Sequence, residues 1–180
     1  MQSSQLSTQP KYLLQGGIHR RTESAILEGT KRLIARSGLS NISMIEIADE
    51  SEVSRATLYN HYRDKGAVVQ ALLAAEVERI VEQAAHAGTP ADALEQISLD
   101  ISADPALAAM RIHDAQYLVS ALTHSESSHY LTLAQTLYQA TKSEAGTGLA
   151  MRWLMGQVMQ PISPKQSHEQ AQLLVEGTLF

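Results

Sequence analysis

The chain has 180 residues, 44% of them hydrophobic and 18% charged, and carries a net charge of −5. That is enough apolar material for one large domain or two small ones sharing a core, and too little charge for a disordered chain. It contains no cysteine, which excludes disulfides, thiolate nucleophiles, cysteine zinc sites and thiol-based redox sensing.

Pro is sparse while Ala, Leu, Gln and Glu are abundant, which points to an all-α fold. The start, Met1 to Leu6, lacks the basic and apolar segments of a signal peptide, and no apolar run approaches ~18 residues. The expectation is a soluble, cytoplasmic protein with no membrane partner. Charge is unevenly spread: residues 1–66 hold nine Lys/Arg against seven acids, whereas residues 86–180 hold four against nine. Cations gathered on one face let an acidic protein bind nucleic acid.

In chain order, residues 1–18 are polar with a Gly16-Gly17 pair, and are expected to form a flexible N-terminal arm. A helical stripe of Ile26, Leu33 and Ile34, filled by Gly29 and Thr30, begins at Thr22 and stops at Gly38, where a C-terminal cap belongs. Ser43 followed by Glu46 spells a capping box and predicts a second helix ending near Glu50 or Ser51. Ser54 caps a third helix that runs to about His61. Asp64 caps a fourth that runs to about Ala85, with Val69, Leu72, Leu73, Val77, Ile80 and Val81 as its stripe. After Gly88-Thr89-Pro90, further helices are expected over 91–103, 105–122, 126–143, 146–160 and 167–178.

The informative stretch is 42–65. A short capped helix, the turn Ser51-Glu52-Val53 and a second short helix give a helix-turn-helix layout. Ile45, Ala48, Val53 and Leu58 are spaced to form its small core, which leaves Ser54, Arg55, Ala56, Thr57, Asn60 and His61 grouped outside. Arg55 can donate to guanine O6 and N7, and Thr57 can offer a hydroxyl or a methyl to a base edge. Tyr59, His61 and Lys65 suit phosphate contacts, with Lys65 in the first turn of a helix, where amides already attract anions.

The run from Ile42 to Ala48 and from Val53 to Lys65 closely resembles the tetracycline-repressor (TetR) family, over about residues 20–75. The resemblance implies that 54–61 is the recognition helix, that Arg55 and Thr57 meet base edges, and that Tyr59, His61, Lys65 and Ser43 meet phosphates. Two positions depart from the family pattern. Glu52 stands where Gly is usual, which costs ~1–2 kcal/mol if that residue is left-handed, and Gly66 stands where Glu is common. Arg20 and Arg21 either reach the DNA or form a solvated basic tail.

The family's plan implies a head over 19–66, joined by the long fourth helix to a helical ligand-binding and dimerisation body over 67–180. Pocket candidates are Met110, His113, Tyr117, Tyr130, Tyr138 and Met151, polar or aromatic residues on otherwise apolar helices. Dimer-interface candidates are Leu149, Trp153, Leu154, Gln157, Ala171, Leu174, Val175 and Thr178. Body acidity favours a cationic ligand. His113, His124, His129 and Asp114 raise the idea of a metal, but His124 and His129 straddle a helix start, so neither metal nor cofactor is expected.

These readings converge on a ligand-responsive repressor, binding a double-stranded, pseudo-palindromic operator as a homodimer and released by a small-molecule effector. An activator or ligand-independent DNA-binding protein of the same fold is the alternative. A small helical enzyme fits less well, because the His and Asp residues show no catalytic spacing.

Overall fold

Helix propensity and capping account for nearly every boundary in the computed structural model, which describes residues 11–123 and 128–177, with side chains from Gly17 onward. The helices are α1 (Lys11–Ser37), α2 (Met44–Glu50), α3 (Arg55–His61), α4 (Lys65–Ala85), α5 (Pro90–Ala103), α6 (Pro105–His113), α7 (Ala115–Leu122), α8 (Ser128–Thr141), α9 (Glu144–Met159) and α10 (Pro164–Glu176). No strand occurs among the described residues.

The head starts earlier than the sequence pattern suggests. Helix α1 runs back to Lys11, through the Gly16-Gly17 pair expected to lie in a flexible arm. Extending a nucleated helix adds one bond for each residue fixed, so glycines weaken it without stopping it. Thr22 is inside the helix, its hydroxyl donating to the Ile18 carbonyl at 3.0 Å. The expected single helix over 105–122 is broken at Asp114 into α6 and α7. Elsewhere the caps fall as expected: Ser43 with Glu46 in a full capping box, Ser54 accepting from the Thr57 amide, and Asp64 accepting from the Ala67 amide.

Two apolar clusters fill the interior. The front cluster joins Ile26, Leu33, Ile47, Ala48, Leu58 and Val68 to Ala106, Met110 and Leu118. The rear cluster gathers Leu94, Ile97, Leu137, Met151, Leu154 and Ala171 from α5, α8, α9 and α10. The head core is built on Ile47, which is fully buried, and not on Ile45, which is 45% exposed. The neighbour Ala48 is buried as expected, and Val53 packs against the cluster half-buried. Helix α1 supplies the opposing wall and selects which face of α2 turns inward.

Candidate nucleic-acid interface

Glu52 is left-handed at φ 55°, the conformation that the usual glycine provides without cost. The turn closes through the Val53 amide on the Ala48 carbonyl at 3.0 Å. Helix α3 then projects from a packed base: Leu58 is buried, and Tyr62 is buried with its hydroxyl donating to Glu23 at 3.2 Å. Burial, aided by Glu23, pushes the Tyr62 phenol up to about 12.

Around that anchor, Ser54, Arg55, Ala56, Tyr59 and Asn60 are exposed. Thr57 is half-buried, and its hydroxyl sits 2.7 Å from that of Ser54. The His61 ring stacks on His19 of α1 with centroids 4.1 Å apart. Burial, then the His19 charge, holds the His61 imidazole below its ordinary range. Ser43 keeps its hydroxyl on the Glu46 carboxylate at 2.7 Å.

Lys65 departs from its expected phosphate role. Its ammonium donates to the carbonyls of Leu39 and Ile42, at 3.0 and 2.9 Å, and so ties down the α1–α2 turn. Other head cations are committed as well. Arg32 and Arg36 both pair with Glu50, Lys31 pairs with Glu76 and Asp104, and Arg63 pairs with Asp64. Among the described residues of the head, Arg20, Arg21 and Arg55 are the Lys/Arg side chains with no partner in the protein. The unpaired Lys/Arg charge of the head therefore lies at the start of α1 and on α3.

Comparison with known proteins agrees with this geometry. Residues 26–72 match the family described as bacterial regulatory proteins, tetR family. Over those residues the chain is similar to the heads of that family. Three solved structures share its fold. AlkX, a TetR family repressor from Dietzia sp. strain DQ12-45-1b, superposes with a TM-score of 0.62 at 16% identity, covering 87% of this chain and 95% of that one. FadR from Bacillus subtilis, solved with stearoyl-CoA, gives 0.50 at 18%, covering 86% and 98%. A TetR-like regulator from Rhodococcus sp. RHA1 gives 0.51 at 16%, covering 88% and 95%. Among curated protein sequences none matches.

Behind the tetR-type head, the six pocket candidates do not converge. Met110 is buried in the front cluster and Met151 in the rear one; His113, Tyr117 and Tyr138 are exposed, and Tyr130 packs half-buried against the rear cluster. None lines either body cleft. One cleft, of about 430 Å³, lies between the end of α4, the following loop, α5 and α8, against Val81, Ala84, Leu94, Ile97, Leu137 and Ala140. A more open one, of about 630 Å³, is lined by Glu82, Gln83, His86, Ala87, Asp92 and Gln96. Small residues flanked by Thr and Gln mark the first cleft, and polar-residue searching overlooks such a pattern.

The dimer candidates divide similarly. Leu154, Gln157 and Ala171 are buried within the protomer, because α5 packs across α9 and α10. Gln157 accepts hydrogen bonds from Ser98 and Ser102 there. Leu149 is 58% exposed, while Trp153, Leu174 and Val175 are half-buried and Thr178 lies outside the described residues. Leu173, absent from the expected set, is 66% exposed. Among the metal candidates, His124 lies outside the described residues and Asp114 is engaged with the head. The described residues contain no group of three or more His, Asp or Glu arranged for a metal ion. No described helix is long and apolar enough to cross a membrane.

Proposed function

We propose that the protein is a ligand-responsive repressor that binds a pseudo-palindromic operator as a homodimer, in the cytoplasm and without catalysing a reaction. The observation that carries this reading is the recognition helix. Arg55, Ala56, Tyr59 and Asn60 stand exposed on a capped, packed base, and Arg55 is uncommitted within the protein. Two such helices on a two-fold dimer meet successive major grooves about 34–36 Å apart.

The dimer face that fits best is the outward side of α9 and α10, where Leu149, Trp153 and Gly156 recur at helical spacing beside Gln170 and Leu173. The effector is an apolar small molecule seated in the 430 Å³ cleft, whose lining holds no charged residue. The absence of charge there argues against the cationic ligand that body acidity suggested. The acyl chain of the ligand in the Bacillus subtilis FadR structure is of the proposed class, and no resident cofactor or metal is needed. Effector binding acts by favouring one of two head arrangements over the other.

Arg55→Ala tests the base-reading role. A sequence should be selected from random duplex DNA by the wild-type chain, then titrated with both proteins. Loss of a bidentate guanine contact costs roughly 1–3 kcal/mol of discrimination, so the variant should bind selected and random DNA more nearly alike. Unchanged sequence preference in Arg55→Ala would refute the assignment.

A further inference from the structure

The head and body are joined by more than the continuous α4 helix. Asp114, at the break between α6 and α7, is only 5% exposed. One of its carboxylate oxygens accepts from the Leu39 amide at 2.6 Å, and the other accepts from the Ser40 amide at 2.8 Å and from the Ser40 hydroxyl. These bonds span 74 and 75 residues of sequence. Asp114 occupies the N-cap position of α7 yet makes no capping bond there, so its carboxylate is diverted wholly to the head.

The same turn is gripped from its other side. While the Leu39 amide donates to Asp114, the Leu39 carbonyl accepts from Lys65 at 3.0 Å. Gly38 permits this contact twice over. Its φ is +78°, and a Cβ there would lie 2.6 Å from the His113 Cβ and 2.8 Å from an Asp114 oxygen. Three residues after Ser40, Ser43 caps α2, the first helix of the DNA-reading pair.

We propose that Asp114 is a positioning residue for DNA recognition: reaching from the body, it sets the turn from which the helix-turn-helix is hung. A shift of the α6–α7 junction moves Leu39 and Ser40 with it, and so moves α2 and the recognition helix packed on it. The inference rests on the DNA-binding reading above. It adds that sequence discrimination depends on a carboxylate that touches no DNA.

The test uses the full chain and a duplex enriched from a random library by the wild-type protein. Asp114→Ala should lower affinity for that duplex roughly tenfold or more, as expected for losing charge-assisted bonds to one buried and one part-buried amide. Its affinity for random DNA at low salt should stay unchanged, because Arg20, Arg21 and Arg55 are untouched. Asp114→Asn keeps acceptor capacity and should fall in between. In both variants amide exchange should quicken at Leu39 and Ser40 while Leu58 stays protected.

Wild-type discrimination in Asp114→Ala would overturn the proposal. So would equal loss on selected and random DNA, which signals a merely unfolded head. If Asp114→Ala does not fold, Asp114→Asn decides the matter, and wild-type discrimination with unchanged exchange at Leu39 and Ser40 would overturn it. Failure of the wild-type chain to enrich any duplex would instead overturn the DNA-reading assignment, and the role proposed for Asp114 with it.

Discussion

The front and rear clusters differ in what they bind together. The front one crosses from head to body, with Ile26, Ile47 and Leu58 packed in the same cluster as Ala106, Met110 and Leu118. The rear one belongs to the body alone, and Leu107 and Val158 touch both. The DNA-reading unit therefore does not end where its motif ends. Helices α6 and α7, far along the chain, supply part of the floor on which α2 and α3 pack.

Substitution in each cluster tests this contrast most strongly. Leu58 and Leu154 are 0% and 1% exposed, so truncation of either to Ala should cost about 2–5 kcal/mol in urea unfolding. Only Leu58→Ala should also abolish specific DNA binding under conditions where the protein stays folded. If Leu154→Ala impairs DNA binding equally, the clusters form one mechanical unit and the contrast fails.

A smaller effect comes from the left-handed residues outside glycine among the described residues, Glu52 in the head at φ 55° and Lys142 in the body at φ 51°. Glu52→Gly and Lys142→Gly should each stabilise the fold by about 1 kcal/mol, as relief of left-handed strain outweighs the added freedom of glycine when unfolded. Urea midpoints measure both. A gain at Lys142 without one at Glu52 would show that the front packing already compensates for the head's turn.

The smallest effect is a pH dependence of opposite sign in the two regions. In the head, burial and His19 lower the pKa of His61. The unfolded chain then holds more protons, and stability falls as pH drops below about 6.5. In the body, the hydrogen bond to Glu95 raises the pKa of exposed His168. Its contribution is complete below about 6.5 and fades as pH rises through the folded value. His61→Gln should flatten the acidic side of the stability profile and His168→Gln the neutral side. Ring-proton NMR titration checks both directions, and a raised His61 value would contradict the stacked arrangement.

Much of the head was legible in the sequence because its determinants are local. Ser43 with Glu46, Ser54 with Thr57 and Asp64 with Ala67 each lie three residues apart. Glu52 announced its strain by occupying a glycine position. The choice of Ile47 over Ile45 was hidden, since α1 decides which face of α2 is covered. So was the break at Asp114, whose partners lie more than 70 residues away. In the body, Met110 and Met151 looked like pocket residues because an apolar helix face carries no label for the core or cavity it serves. Lys65 shows the same limit inside the motif, since its partners are backbone carbonyls, which have no signature in side-chain type.

The chain's single tryptophan, Trp153, has its indole N–H on Gln170 at 2.5 Å, joining α9 to α10. The DNA-reading head contains no tryptophan, so ultraviolet emission excited at the indole band originates wholly from that rear junction. The protein thus carries its own optical gauge in the rear cluster. A change in emission colour or intensity when unlabelled DNA is added therefore reports on the α9–α10 junction.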